Sequence, residues 1–394
     1  MGVMANVIGA NIRRFREARG WSQPRLAREV CRLARVDGEP VSRQEISRYE
    51  TGRRTPREWL PFVAEALGVG VEQLRTPAAR SGAPLRLPSL AGPDDEQPAA
   101  SIRQLSRQLV FLDNQMHGLP IADIAVRSFR AVHRRLGAGG YERTQEREVR
   151  AAAAELAEIA GWALFNEGKF EASRRFNQEA LLLARLAHDR SVELITLQNM
   201  GMVAGWTGRA GEELAIARCV LEESALSPRV EAMFRGREAQ GLAGAGCVRE
   251  STRVFDRARS LLQDGAPDDE PHWAWWVTEQ EIDRQHGRVL HGSGRWREAI
   301  PVLRNAMAAE AQVVGYQRVA SVMLLDCLLD ARAWREAQEE VEGLLPAIGE
   351  LSSAVTLRIL KDVTGRASAL SLPAGLRDGL HHLEATLEQD PYGL

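Results

Sequence analysis

The sequence predicts an all-α protein with a small N-terminal domain of five short helices and a long C-terminal solenoid of helical hairpins. Three observations support this. Apolar residues recur with a helical period, and strand signals are almost absent from Ser101 onward. The segment 76–100 holds five of the seventeen prolines, which is typical of a linker. A glycine–aromatic phrase recurs at intervals near 40 residues. The predicted domains are therefore 1–75, a linker 76–100, and 101–394.

Charge is unevenly distributed along the chain. Residues 1–80 contain 15 arginines against 9 acidic residues, which leaves 36 basic and 44 acidic residues in the remainder. A basic N-terminal segment followed by an acidic remainder is typical of a phosphate-binding module joined to a domain that does not bind nucleic acid. No apolar run approaches the ~18 residues that a membrane span needs. The first residues lack a signal-peptide core, so we expect a cytoplasmic protein without membrane contact.

The first two helices have recognisable boundaries. Ile8, Ile12 and Phe15 share one face of the first helix, which is expected to end at Gly20. Ser22 then caps the second helix, with a proline in its first turn.

The third helix lies in the stretch "VSRQEISRYETGRRTP". Ser42 is its predicted N-cap, and Glu45 completes a capping box. Val41 and Ile46 flank the cap as a hydrophobic staple, and Gly52 is expected to end the helix.

A fourth helix is predicted to start at Thr55 and Pro56 and to bury Val63 and Leu67. A last turn adds Leu74 to the same small core.

From Ser101 onward one phrase recurs: a glycine, an aromatic residue two positions later, and a small residue two or three places after the aromatic. The clearest copies are "GWALFNEGKFEASRRF", "GRVLHGSGRWREAIPVLRNA" and "LLDCLLDARAWREAQEEVEGL", the last with Arg332 in place of the turn glycine. Weaker copies run around Gly201 to Ala217 and Gly246 to Ala258. The pattern resembles the tetratricopeptide repeat, although its spacing exceeds the ~34 residues of that family. An all-helical bundle without true repeats is the alternative. The predicted turn positions are Gly168, Gly208, Gly246, Gly294 and Arg332.

The N-terminal domain resembles the XRE family of helix-turn-helix DNA-binding domains over about residues 6–75. The resemblance rests on Ser22-Gln23 opening helix two, "ISRYETGRRTP" closing helix three and "ALGV" after helix four. It departs from the family at "CRLARVDGEP", which replaces the tight turn between helices two and three. The resemblance implies a salt bridge between Glu50 and Arg16.

The helical wheel of the third helix indicates which residues would meet DNA. Ile46 and Tyr49 face the core, so Arg43, Gln44 and Ser47 project outward with Arg48, where arginine can contact guanine and glutamine can contact adenine. The resemblance implies a phosphate contact for Gln23, and the arginines after the helix suit phosphates as well. The predicted DNA-binding residues are Gln23, Ser42, Arg43, Gln44, Ser47, Arg48, Arg53 and Arg54. One domain buries little surface, so we expect a homodimer on a repeated site in double-stranded DNA.

Domain order resembles the RRNPP group of regulators, which implies a transcription regulator whose repeat domain senses a signalling peptide, as in quorum sensing, or a small molecule. Repeat register places several polar residues on the concave face, and amide side chains can pair with a peptide backbone. The predicted ligand contacts are Gln198, Asn199, Gln240, Arg284, Arg288 and Asp326.

Other classes of function find less support in the sequence. Its glycine-rich stretches follow no strand, and neither the eight histidines nor the four cysteines have metal-ligand spacing. We therefore expect no enzyme, no metal and no cofactor, and cysteines that act as small buried residues. The three tryptophans of "PHWAWWVTEQ" are expected to pack between repeats. A repeat scaffold that binds a protein partner, with DNA binding used for recruitment, remains the alternative.

Overall fold

The structure, a computed structural model, divides into two compact units, Met1–Arg86 and Leu87–Leu394. It describes residues 8–13, 15–16, 21–34, 40–67, 74, 97–115, 121–223, 225–263, 270–307, 318–351 and 353–388. Over these ranges the regular structure is helical, without a strand. Within the same ranges no helix has the length and apolarity to cross a membrane.

The N-terminal unit is a cluster of short helices around one core. Its described helices are α1 (residues 8–13 and 15–16), α2 (Gln23–Leu33), α3 (Arg43–Glu50) and α4 (Leu60–Ala66). The buried core includes Ile12, Leu26, Val30, Ile46 and Val63, and Leu74 is also fully buried. Gly9 of α1 is required at this crossing, because a Cβ there would collide with the carbonyl oxygen of Tyr49 in α3.

The predicted helix starts and stops are mostly confirmed. Ser22 and Ser42 cap α2 and α3 by accepting hydrogen bonds from the backbone amides of Arg25 and Glu45. Gly52 ends α3 with a φ of 70°. The predicted end of helix one at Gly20 lies outside the described residues.

The predicted start of the fourth helix is wrong. Residues 57–59 form a turn, and α4 begins at Leu60 rather than near Thr55. Pro61 explains the shift, because proline is tolerated in the first turn of a helix but clashes with the preceding turn further inside.

The second unit has its first described helix from Pro98, inside the segment 76–100 that is predicted as a linker. Its helices are α5 (Pro98–Gln115), α6 (Ile121–Gly137), α7 (Glu146–Asn166), α8 (Phe170–Ala187), α9 (Arg190–Trp206), α10 (Ala210–Glu223), α11 (Pro228–Gly244), α12 (Val248–Leu261), α13 (Glu279–Gly292), α14 (Trp296–Met307), α15 (Arg318–Asp330), α16 (Trp334–Leu344), α17 (Ala354–Ala367) and α18 (Ala374–Glu388). Two 3₁₀ helices, His272–Trp276 and Leu345–Glu350, interrupt the series.

The five predicted turns join α7 to α8, α9 to α10, α11 to α12, α13 to α14 and α15 to α16. Each turn residue has a positive φ: 72° at Gly168, 76° at Gly208, 85° at Gly246, 69° at Gly294 and 58° at Arg332. In each turn the next amide donates to the carbonyl five residues earlier, as Lys169 does to Leu164 at 2.9 Å and Ala333 does to Leu328 at 2.9 Å. These are repeated Schellman endings, which close one helix and start the next antiparallel to it.

The hairpins stack side by side to form a solenoid. The first helices of successive hairpins contact one another, from α7 to α9 and onward to α17. Small residues permit the close crossings: Ala299 in α14 and Ala337 in α16 are fully buried. At Gly287 in α13, a Cβ would collide with the side chain of Leu303.

A sixth hairpin, α17–α18, follows the five recognised in the sequence and closes the solenoid on its first hairpin. Helix α17 contacts α7. Val355 of α17 is buried with Phe165 and Met202, while Ile359 packs against the same cluster. The guanidinium of Arg358 lies 5.6 Å from the centre of the Phe170 ring. We call this contact the closure.

Two smaller expectations have mixed outcomes. Trp273 and Trp276 pack against a core from α9 and α11, so the tryptophan-rich segment does fill space between repeats, while Trp275 is exposed. The expectation of buried cysteines is correct for Cys31 and Cys327 but wrong for the exposed Cys219 and Cys247.

Candidate functional site

Helix α3 has one buried face and one exposed face. Ile46 and Tyr49 are 0% and 2% exposed. Arg43 and Gln44 lie on the opposite side of the first turn and are exposed, with Ser47 partly exposed beside them. Because the Ser42 cap holds the N-terminus of α3 in place, the backbone that carries these exposed side chains has a fixed position.

A buried ion pair fixes α3 to α1. Arg16 Nε lies 2.5 Å from Glu50 Oε1, and Arg16 Nη2 lies 3.1 Å from Glu50 Oε2. The Arg16 guanidinium also donates to the carbonyl of Trp21 at 2.6 Å. The predicted Arg16–Glu50 salt bridge is therefore confirmed, and it fixes the end of α3 that the cap does not reach.

Gln23 takes part in the same network. Its Nε2 donates to Glu50 Oε2 at 2.8 Å. Its amide thus has a partner inside the domain, and the predicted phosphate contact remains a prediction. Ser42 is likewise engaged, since its hydroxyl accepts the amide of Glu45.

Glu45 has a role that the sequence did not reveal. Its carboxylate accepts from Arg48 at 2.7 Å and from Arg54 at 2.7 Å. A capping box would instead direct this carboxylate to the backbone of Ser42. Glu45 therefore positions two of the predicted DNA-binding arginines, while Arg53 is exposed beside them. The long connection after α2 lies largely outside the described residues, which omit 35–39.

The six predicted ligand contacts lie along the first helices of hairpins two to five. Gln198 and Asn199 are both buried in α9. Asn199 Nδ2 donates to Glu158 Oε1 of α7 at 2.6 Å, and Gln198 Nε2 lies 3.5 Å from Asn199 Oδ1. Burial raises the pKa of Glu158 to about 7, against the lowering effect of the hydrogen bond from Asn199.

Gln240 and Arg284 belong to a second polar group. Gln240 Nε2 donates to Gln285 Oε1 at 3.1 Å, and Gln285 Nε2 donates to Glu281 at 2.6 Å. Arg284 Nε donates to the same Glu281 carboxylate at 2.9 Å. Gln285 and Glu281 have no special spacing, and sequence reasoning missed both.

Arg288 and Asp326 lie in two further contacts. The Arg288 guanidinium stacks over the Trp206 ring, 4.4 Å from its centre. Asp326 accepts from His291 Nε2 at 2.5 Å and also pairs with Arg366 of α17. Each of the six residues thus has a partner from the protein, and the structure distributes them over several contacts rather than one pocket.

A buried ion pair between hairpins two and three was not predicted. Arg237 Nη1 lies 3.3 Å from Glu213 Oε1, and both side chains are almost fully buried. Gly205 makes room for it, because a Cβ there would collide with the Glu213 carboxylate. The glycine was the only signal in the sequence, and it does not identify its partner.

Comparison with known proteins agrees with the N-terminal architecture. Residues 7–76 match the family model described as a helix-turn-helix domain. The protein therefore has an N-terminal helix-turn-helix DNA-binding domain followed by a helical repeat domain. No curated protein matches the chain.

One solved structure similar to this chain is the crystal structure of Bacillus thuringiensis PlcR in complex with the peptide PapR7 and DNA. The similarity covers 84% of this chain and 98% of that chain, at 15% sequence identity and a TM-score of 0.36. At these values the similarity assigns no role to any residue of this chain.

Proposed function

We propose that this protein is a sequence-specific transcription regulator that reads DNA through the exposed face of α3. The observation that carries the proposal is the fixed position of Arg43 and Gln44 on a helix whose other face is buried. Arginine binds guanine and glutamine binds adenine through paired hydrogen bonds in the major groove. Arg53 and Arg54 lie just beyond the helix, where they would bind phosphates and supply affinity without sequence preference.

The helical repeat domain is proposed to dimerise and to bind a peptide or small-molecule effector. Dimerisation follows from the size of the N-terminal domain, since one such module buries too little surface for tight specific binding. The effector proposal rests on the buried polar side chains of α9, α11 and α15, which a ligand would engage by replacing their present partners. Gln198 Oε1 supports it, because this buried acceptor has no hydrogen-bond partner among the described residues.

The first prediction separates base contacts from phosphate contacts. The operator is obtained by sequencing genomic DNA immunoprecipitated with the protein, and affinities for it and for a scrambled duplex are measured by fluorescence anisotropy. Arg43→Ala and Gln44→Ala should each reduce the preference for the operator by about 5- to 150-fold, equivalent to ~1–3 kcal/mol per base contact. Arg53→Ala should weaken binding to both duplexes alike. It should also make the slope of log K against log [salt] less negative by the amount expected for about one phosphate contact.

Unchanged preference in Arg43→Ala and Gln44→Ala would show that α3 does not read bases. If the immunoprecipitated DNA shows no enriched sequence, and the repeat domain retains a protein partner when residues 1–75 are deleted, the scaffold alternative is correct instead.

A further inference from the structure

Three arginines form an exposed stripe on α6, the second helix of the helical unit. Arg127, Arg130 and Arg134 are all exposed and follow one another at spacings of three and four residues. This spacing places them on one face of the helix. The opposite face, with Phe129 and Val132, is buried in the core. We call these three residues the arginine stripe.

The arginine stripe has no carboxylate partner among the described residues. The one carboxylate of α6, Asp123, lies in the first turn, four residues before Arg127. The nearby Glu179 of α8 faces His133 at 3.7 Å. Arg134 Nε donates to the backbone carbonyl of Arg130, at 3.3 Å, and to no carboxylate of the described residues.

Many other arginines of the helical unit are neutralised. Arg174 pairs with Glu212 at 3.0 Å, and Arg259 pairs with Asp283 at 2.7 Å. The chain beyond residue 80 holds 36 basic and 44 acidic residues, so α6, with four arginines and one aspartate, is a local exception. Like charges at these spacings destabilise a helix, and a bound polyanion would remove that repulsion.

We propose that the arginine stripe binds backbone phosphates of double-stranded DNA, an inference that rests on the proposed function. Arg127 and Arg134 are separated by about 10.5 Å along the helix axis, at 1.5 Å per residue. Phosphates of one B-DNA strand advance about 3.4 Å along the axis per nucleotide, so the stripe spans about three of them. Guanidinium groups bind phosphate through paired hydrogen bonds.

DNA is favoured over an acidic protein because the chain already carries a DNA-binding domain. The two units are covalently joined, and α6 is only the second described helix after residue 97. Tethering raises the effective concentration of a weak second site. Phosphate contacts that would be negligible alone therefore add to the affinity of the whole protein.

The test uses the full-length protein and a fluorescein-labelled mixed-sequence duplex of 40 base pairs, titrated by anisotropy at several KCl concentrations. In R127A/R130A/R134A, the slope of log K against log [KCl] should become less negative by about 2 to 3, at ~0.9 per phosphate contact. Affinity near 0.1 M KCl should fall about 10- to 100-fold. R127K/R130K/R134K keeps the charge and the helix propensity, and should bind within about threefold of the wild type.

The matched control is R249A/R253A/R257A. It removes three exposed arginines from one face of α12, where Glu250 and Asp256 are interspersed. Its salt slope should equal that of the wild type. Equal losses in the two alanine variants would mean that only net charge matters and would overturn the proposal.

The proposal would also be overturned if R127A/R130A/R134A bound the duplex with the affinity and the salt slope of the wild type. The arginine stripe would then be assigned to an acidic protein partner. Failure of the wild-type protein to bind any duplex at 50 mM KCl would instead refute the proposed function, and with it this inference.

Discussion

Arg332 occupies a left-handed backbone conformation at a turn where the four equivalent residues are glycine. A side chain in this region costs free energy because its Cβ approaches the following carbonyl oxygen. The structure shows the same closing hydrogen bond in all five turns. The turn thus depends on backbone geometry, and arginine is tolerated there at a cost.

Arg332→Gly should therefore stabilise the helical unit by about 0.5–1 kcal/mol, the cost of a left-handed side chain less the extra chain entropy of glycine. Thermal unfolding followed by circular dichroism measures the change. Gly208→Ala is the reciprocal control, because a Cβ there meets nothing within 4 Å. It should destabilise by about 1 kcal/mol, and a neutral result would contradict the role of positive φ.

Glu158 is expected to make stability depend on pH. Burial raises the pKa of its carboxyl from 4.5 to about 7. The folded state holds this proton more tightly than the unfolded chain. The contribution of the proton to the free energy of unfolding is therefore complete below pH 4.5 and is lost as pH rises through about 7.

Glu158→Gln removes this titration and can still accept the hydrogen bond from Asn199. From pH 5 to pH 8 the free energy of unfolding of the variant should rise by about 2 kcal/mol relative to that of the wild type, given ~1.4 kcal/mol per pKa unit. Urea unfolding at the two pH values measures it. Glu171→Gln, at an exposed site on α8, keeps Glu158 and should therefore show the same pH dependence of stability as the wild type; a gain as large as that of Glu158→Gln would argue against the assignment.

At the scale of the element, α3 depends on contacts at both ends. Ser42 caps its N-terminus, and the Arg16–Glu50 pair joins its last residue to α1. Only a helix fixed at both ends presents Arg43 and Gln44 in a constant orientation. The cap follows from adjacent residues, whereas the ion pair joins residues 34 positions apart. Local sequence rules predicted the first, and only the family resemblance supplied the second.

Glu50→Ala removes the carboxylate from the buried Arg16–Glu50 pair, and the loss of one partner of a buried ion pair typically costs 3–5 kcal/mol. Hydrogen–deuterium exchange of the full-length protein should become faster throughout α1 to α4. Peptides from α7 to α16 serve as the internal control and should keep their exchange rates. Unchanged exchange in α3 would mean that the pair does not hold the domain together.

At the scale of the helical unit, the closure joins the first hairpin to the last. Phe165 from α7, Met202 from α9 and Val355 from α17 share one buried cluster. Asp326 adds an ionic contact between α15 and Arg366 of α17. The first helices of the hairpins therefore form the interior of a closed array rather than an open concave surface. An effector at the predicted polar residues would have to compete with these contacts.

Val355→Ala combined with Ile359→Ala should loosen the closure, since each substitution removes packed apolar atoms from the cluster. Hydrogen–deuterium exchange should increase in α7, in the start of α8 and in α17, and stay constant in α11 and α12. Leu182→Ala with Leu186→Ala is the matched control, because both leucines are exposed on α8. Equal effects from the two double variants would show that the closure adds no stability.

Local sequence patterns were sufficient to predict the class of the fold, the turns and the amphipathic character of α3. These features are local: a cap needs a residue three positions away, and a turn needs one residue that accepts positive φ. The glycine–aromatic phrase and its weaker copies therefore located five hairpins without any knowledge of their packing. The start of α4 is the exception: the expected capping residues placed it too early, and Pro61 shifts it to Leu60.

The pairing of the polar side chains on the first helices depends on tertiary packing and could not be predicted from the sequence. Asn199 meets Glu158, and Asp326 meets Arg366, across 41 and 40 positions of sequence. Tertiary packing also decided the sixth hairpin and the closure, which lack a sequence signature. Small rotations accumulate from one hairpin to the next in a solenoid. Contact between the first and last hairpins depends on their sum, which no local pattern encodes.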